Sequence, residues 1–186
     1  MKTIALVNGK GGCGKTTLSL LLGMALLRSG RRVQFIDLDP QKSLTGILKF
    51  HQIAETVDEP EFVMIDTPPR LDSGEIAKAI RAADVICIPT RPLVFDLGVT
   101  VNTSALVAKT KTPGSKALIV FNQVRKGTLA TKDAQNLDRS KFSVPVAKAS
   151  ISMRECIYRA TSTKDGWKAL DEPAAAELLS LALSLG

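Results

Sequence analysis

Short apolar runs alternate along this chain with segments whose apolar residues recur every three or four positions. The runs predict strands over 3–7, 33–37, 62–66, 85–89 and 117–121, with 144–146 a short sixth candidate. The helical spacing predicts helices over 16–28, 73–82 (Ile76 and Ile80 share a face), 97–109, 129–137 and 151–160. Pro173 suits the first turn of a last helix running to about residue 183. Asp58-Glu59-Pro60 reads as the turn before the third strand, and no element is predicted between residues 39 and 62. Strands apolar on both faces, alternating with helices, predict an α/β fold. It is a mostly parallel, twisted sheet flanked by helices, formed as a single domain over residues 1–186.

Composition changes this picture little. With 45% hydrophobic and 23% charged residues, the chain belongs with globular proteins and not with disordered ones. Aromatic residues, at 4%, are too few for a surface that stacks on bases. Cys13, Cys87 and Cys156 form no close pair, so neither a disulfide framework nor a CxxC metal site is expected, and all three read as reduced thiols. The longest apolar stretch, 18–27, is too short to span a bilayer and is bounded by Arg28. The run 4–7 enters a glycine loop with no cleavage pattern, so the expected location is the cytoplasm.

Charge changes it more. The chain carries a formal +7, but unevenly: residues 1–108 hold 12 Lys and Arg against 11 Asp and Glu, residues 109–168 hold 13 against 4, and residues 169–186 hold 0 against 3. A basic excess in the last third suits nucleic acid or an acidic surface, and equally a solvated basic face. Arg125, Lys126, Lys132, Arg139, Lys141, Arg154, Arg159, Lys164 and Lys168 are the candidates, with Lys126, Lys132, Arg139, Arg154 and Arg159 foremost.

The clearest chemistry follows the first strand. Asn8-Gly9-Lys10-Gly11-Gly12-Cys13-Gly14-Lys15-Thr16-Thr17 fits G-x-x-x-x-G-K-[ST] between a predicted strand and a predicted helix. Glycines let backbone N–H groups turn inward onto phosphate oxygens, and the following helix adds the positive end of its dipole. Lys15 is placed to neutralise β and γ phosphates, and the Thr16 hydroxyl to ligate Mg²⁺. Asp37 and Asp39 share one side of the second strand's end, and Asp66 ends the third; carboxylates there suit a metal and its waters.

Lys10, inside the loop, is more than phosphate binding requires. K-G-G-x-G-K-T resembles the deviant Walker A motif of the ParA/MinD ATPases. Asp37-Leu38-Asp39-Pro40-Gln41 resembles that family's switch region, and Asp66-Thr67-Pro68-Pro69 its Walker B end. Downstream, Ile88-Pro89 and Asp96-Leu97, Asn122, Pro145, and Arg154 with Tyr158 resemble later family positions. The likeness covers nearly the whole chain, and small ParA (ParF-like) partition ATPases look nearest. It implies a P-loop NTPase fold, ATP and Mg²⁺ as cofactors, and catalytic roles for Lys10, Lys15 and Asp39. Residues 9–17 would bind nucleotide, with Lys10 crossing to a partner's nucleotide in an ATP-dependent homodimer. Asp39 would position or activate the hydrolytic water, and Asp37, Asp39 and Asp66 would join Thr16 around the metal. Asn122 would recognise adenine, and Pro145 would flank it.

By the same resemblance the dimer would bind DNA without sequence preference, sit on a bacterial nucleoid, and be cycled through slow hydrolysis by a ParB-like or other cargo adaptor. The cargo would be plasmid or chromosomal DNA. A protein assembly such as a chemoreceptor cluster or microcompartment is the alternative. A MinD-like membrane cycle would need a basic amphipathic C-terminal helix, but residues 172–186 contain no Lys or Arg. An iron–sulfur relative would need two cluster cysteines, and Cys87 and Cys156 sit in no cluster motif. A nucleotide-bound scaffold without turnover stays open. Two departures stand out. The 26 residues from 40 to 65 make a shorter, less helical segment than the family's, and no helix-turn-helix precedes the first strand.

Overall fold

The computed structural model describes residues 1–185. Five strands, β1 (Lys2–Leu6), β2 (Val33–Asp37), β3 (Phe62–Asp66), β4 (Val85–Thr90) and β5 (Lys116–Phe121), form a parallel sheet in the order β2-β3-β1-β4-β5. Alternate residues of each strand feed two cores. Ile4 and Leu6 of β1, Met64 of β3 and Cys87 of β4 pack on one face; Ala5 and Val7, Val63 and Ile65, and Ile86 and Ile88 pack on the other. Burial on both faces is why these strands are almost uniformly apolar.

Seven α-helices flank the sheet among the described residues: α1 (Lys15–Arg28), α2 (Ser43–His51), α3 (Gly74–Ala82), α4 (Val94–Thr110), α5 (Leu129–Gln135), α6 (Glu155–Ser162) and α7 (Glu172–Leu185). Apolar residues of α1, α2, α6 and α7 fill the first core, and those of α3, α4 and α5 fill the second. Gly23 lets α1 press against β2, since a Cβ there would stand 2.3 Å from the Phe35 ring.

The segment after Asp39 is more helical than expected. α2 is short, holds Gly46 and buries only Leu44 and Leu48, which is too little periodicity to stand out. Residues 144–146 form an isolated bridge, Val146 to Ile119, and no strand. The helix expected from residue 151 begins at Glu155. Residues 151–153 stay extended because the edge of β5 takes their hydrogen bonds: Ile151 N–H to Phe121 O (2.9 Å) and Val124 N–H to Ile151 O (3.0 Å).

The parallel registers align Leu6 and Asp37 with Asp66 at the carboxyl ends of the strands. The chain passes from β1 out to β2 and returns through β3 before crossing to β4. The crevice therefore opens at the tip of β1, where a doubly wound sheet holds its ligands. No helix of the described residues is long and apolar enough to cross a membrane.

Candidate functional site

The loop from Gly9 to Gly14 leaves β1 and enters α1 through Gly14, whose φ of +95° lies in the left-handed region. A Cβ at Gly14 would stand 2.1 Å from Asn122 Nδ2, so both backbone conformation and space demand glycine. No side chain among the described residues caps the first turn of α1, which leaves its N–H groups for an anion.

The loop is held from outside. Asn122 donates to Cys13 O (2.9 Å) and Gln123 to Gly12 O (3.1 Å). Buried Asn8 accepts from Lys10 N–H (2.9 Å) and donates to Pro89 O (2.8 Å). Lys15, although buried, reaches Lys10 O at 3.2 Å. The Cys13 thiol donates to the same carbonyl (3.2 Å), and burial pushes its pKa up, so it is a packed thiol and not a reactive one.

A cavity of about 250 Å³ lies over the loop, lined by Gly11, Gly12, Gly14, Lys15, Thr16, Thr17, Asp39, Pro69 and Gln123. It brings together expected residues from the first two motifs. Asp66 lies beneath, fully buried, accepting from the Thr16 hydroxyl (2.6 Å) and from Ser19 (3.4 Å). Burial pushes the Asp66 carboxyl up to about 6; the Thr16 bond pulls the other way, and the Asp37 carboxylate adds to the rise. A buried carboxylate, only partly compensated by its two hydroxyl donors and beside a phosphate cradle, fits a hard divalent cation.

Three expected residues have other partners in this structure. Asp37 is occupied as a cap: its carboxylate accepts from Asp39 N–H and from Thr45 N–H in α2, both at 3.0 Å. Accordingly the three aspartates do not gather as a metal cluster, and no group of three or more potential ligands does so among the described residues. Asn122 donates to Cys13 O and accepts Gln123 N–H (2.9 Å), so it braces the loop while also lining the cavity beside it. Pro145 lies beside the middle of β5, where its carbonyl accepts Ile119 N–H (2.8 Å), below the strand tips and outside the cavities at the loop.

The wall that Pro145 does not supply comes from residues 152–161. A second cavity of about 260 Å³ shares Thr17 and Gln123 with the first, and adds Asn122, Ser152, Met153, Arg154, Ile157, Tyr158 and Thr161. Motif reading also assigned no role to Asp96. Buried at the start of α4, it pairs with the Arg91 guanidinium (Nη2 to Oδ1, 3.2 Å) and stands 4.0 Å from Lys10 Nζ. The family-like Asp-Leu pair was the signal for it, but only the fold shows which lysine it faces.

The basic candidates are scattered. Lys126, Lys132, Arg139 and Lys141 are exposed on α5 and the turns around it; Arg159 pairs with Asp165 at 3.8 Å. Arg154 is not on a helix: it precedes α6 and turns inward to Asp171 (3.2 Å) and Glu177 (3.8 Å).

Comparison with known proteins agrees with this geometry. The model of the CobQ/CobB/MinD/ParA nucleotide binding domain matches residues 4–167. The maintenance of carboxysome distribution protein A of Halothiobacillus neapolitanus is 30% identical over 179 residues, covering 84% of this chain and 82% of that protein. Its namesake in Gloeobacter kilaueensis is 38% identical over 119 residues, and there the match spans just 55% of either chain. A plasmid partition protein of Borrelia burgdorferi, bound to AMPPNP, superposes with a TM-score of 0.76 at 17% identity over 99% of this chain and 97% of that one. Cobyrinic acid a,c-diamide synthase of Mycobacterium smegmatis, with an ATP analogue and magnesium, gives 0.76 at 21% identity over 100% and 94%. The braced glycine loop therefore sits in a fold that these nucleotide-binding proteins share, and the chain belongs to the CobQ/CobB/MinD/ParA nucleotide-binding domain family.

Proposed function

We propose that this chain is an ATP-dependent positioning ATPase. The observation that carries the reading is the pair of adjoining cavities: phosphate loop and Asp39 around one, an apolar-and-polar pocket of nucleoside size beside it, with Thr17 and Gln123 common to both. Lys15 and the N–H groups of the loop hold the phosphates, and Thr16 with Asp66 holds Mg²⁺, which neutralises phosphate charge when bound. Asp39 orients the attacking water. Lys10 completes the partner's site in an ATP-bound homodimer, and turnover stays slow until a cargo-bound adaptor assists. The dimer binds DNA through spread basic side chains, and the nucleoid serves as its track.

The names of the two carboxysome-distribution relatives favour a protein cargo of the microcompartment kind, and the plasmid partition neighbour favours DNA cargo. The test is light scattering and an electrophoretic shift with ATP, ADP and a nonhydrolysable analogue. ATP should double the mass, Lys10→Ala should impair that step, and duplex DNA of any sequence should be retarded in the ATP state alone. A mass indifferent to nucleotide would overturn the dimer switch. DNA binding indifferent to nucleotide would overturn the nucleoid track and leave a protein matrix as the support.

A further inference from the structure

The nucleoside-side cavity has a wall of unusual construction. Ser152-Met153-Arg154 belongs to no helix and to no named strand. On one side it is held by β5's continuation, through the Val124–Ser152 bridge and Met153 N–H to Val124 O (2.9 Å). On the other side it is held from the C-terminal helix. Glu177 of α7 accepts Ser152 N–H at 2.7 Å and the Ser152 hydroxyl at 2.7 Å, and its Oε1 stands 3.8 Å from Arg154 Nη2. Arg154 Nη1 donates to Asp171 (3.2 Å), whose other oxygen accepts Ala174 N–H (2.8 Å) and so caps α7. Arg154 Nε is buried without a partner, so this guanidinium is placed by carboxylates at its outer nitrogens and not by a full set of bonds.

We infer that Glu177 is a positioning residue for the nucleoside half of the bound nucleotide. This rests on the ATP-binding reading above. The carboxylate touches no nucleotide atom. It fixes the backbone and hydroxyl of Ser152 and one arm of Arg154, and both residues line the cavity next to Thr17. Two short bonds to a charged acceptor are strong ones, and removing the acceptor leaves a partly buried N–H and a guanidinium arm to find new partners. The wall then loses its fixed shape, while the phosphate loop keeps its own braces from Asn8, Asn122 and Gln123. Affinity for the nucleoside part should fall, and affinity for the polyphosphate part should not. The charge pattern fits: of the three acids in residues 169–186, Asp171 and Glu177 both turn toward this wall, and Glu172 alone does not.

The experiment compares MgATP with magnesium tripolyphosphate, by calorimetry on the full chain, for wild type, Glu177→Ala, Glu177→Gln, Ser152→Ala and the exposed control Glu172→Ala. Thermal unfolding of each fixes a temperature at which all are folded. Glu177→Ala should weaken ATP about tenfold and leave tripolyphosphate within about twofold. Glu177→Gln should fall between, because the amide keeps one acceptor for Ser152 but no charge for Arg154. Ser152→Ala should cost about threefold, again for ATP alone. If Glu177→Ala does not fold, the Gln and Ser152 variants carry the comparison. Equal losses for both ligands would reduce Glu177 to a structural support, and unchanged ATP affinity would overturn the proposal outright. A wild type that binds neither ligand would instead overturn the nucleotide reading itself.

Discussion

The phosphate loop and the basic stretch around α5 and α6 are built on opposite plans. In the loop, polar groups are bound inward: Lys15 to a loop carbonyl, Asn8 and Asn122 across to neighbouring segments, Thr16 to Asp66. Around α5 and α6, Lys126, Lys132, Arg139 and Lys141 point out into solvent. A site made of fixed donors concentrates its effect in a few residues, and a field of mobile charges spreads its effect over many. One residue should therefore decide the first function, and no single residue should decide the second.

The largest effect should come from Lys15. Lys15→Ala removes the buried ammonium from the phosphate cavity and should weaken ATP by about 100-fold or more in calorimetry. Wild-type affinity in that variant would break the comparison at its stronger end. Next is Asp39→Ala, which should bind ATP normally and lower phosphate release by about 100-fold in a single-turnover assay. Turnover at the wild-type rate would move the water-positioning role elsewhere.

Asp66 tests the inward plan through pH. Its carboxyl titrates at about 6 in the folded chain, above the ordinary value, so the folded state holds the proton more tightly than the unfolded one. Stability of the nucleotide-free protein should fall as pH rises from 4 through 6, by an amount on the order of 3 kcal/mol. Asp66→Asn should remove this dependence and unfold several degrees higher than wild type at pH 8, with the gap closing toward pH 4. A gap constant across that range would mean the buried charge is compensated. The smallest effects should come from the basic stretch: Lys126→Ala or Lys132→Ala alone should weaken DNA binding about two- to threefold. Replacing Lys126, Lys132 and Arg139 together should abolish it with ATP affinity intact. One lysine that abolished binding by itself would mean the stretch contains a formed site after all.

The same contrast explains what could be read from the sequence. The five strands were legible because both faces of the sheet are covered, which forces apolar runs, and the phosphate loop because glycine, lysine and threonine act there through local backbone shape. The place of Asp39 beside the loop was legible from its position at the end of the second strand. The bracing contact of Asn122 was not. Its amide could face a base or the loop, and only packing shows that it meets Cys13 O. The capping bonds of Asp37 were not legible either, because a carboxylate at a strand end serves equally as a metal ligand or as a cap, and α2 was too short to announce that it needed one. Residues 151–153 kept the composition of a helix but took the free edge of β5. Lys10 and Asp96, 86 positions apart, meet through tertiary structure that no local pattern encodes.

The 2.1 Å clearance between a would-be Cβ at Gly14 and the Asn122 amide has a further consequence. The octapeptide 10–17 is not a portable module. Its curvature is moulded by Asn122 and Gln123, more than a hundred residues downstream, which grip the carbonyls of Cys13 and Gly12. Grafted onto another strand–helix pair, the same eight residues would keep their glycines and lose their mould. The constraint runs one way: the left-handed φ keeps position 14 a glycine whatever stands at 122, whereas a smaller residue at 122 would free space and cost the loop one grip.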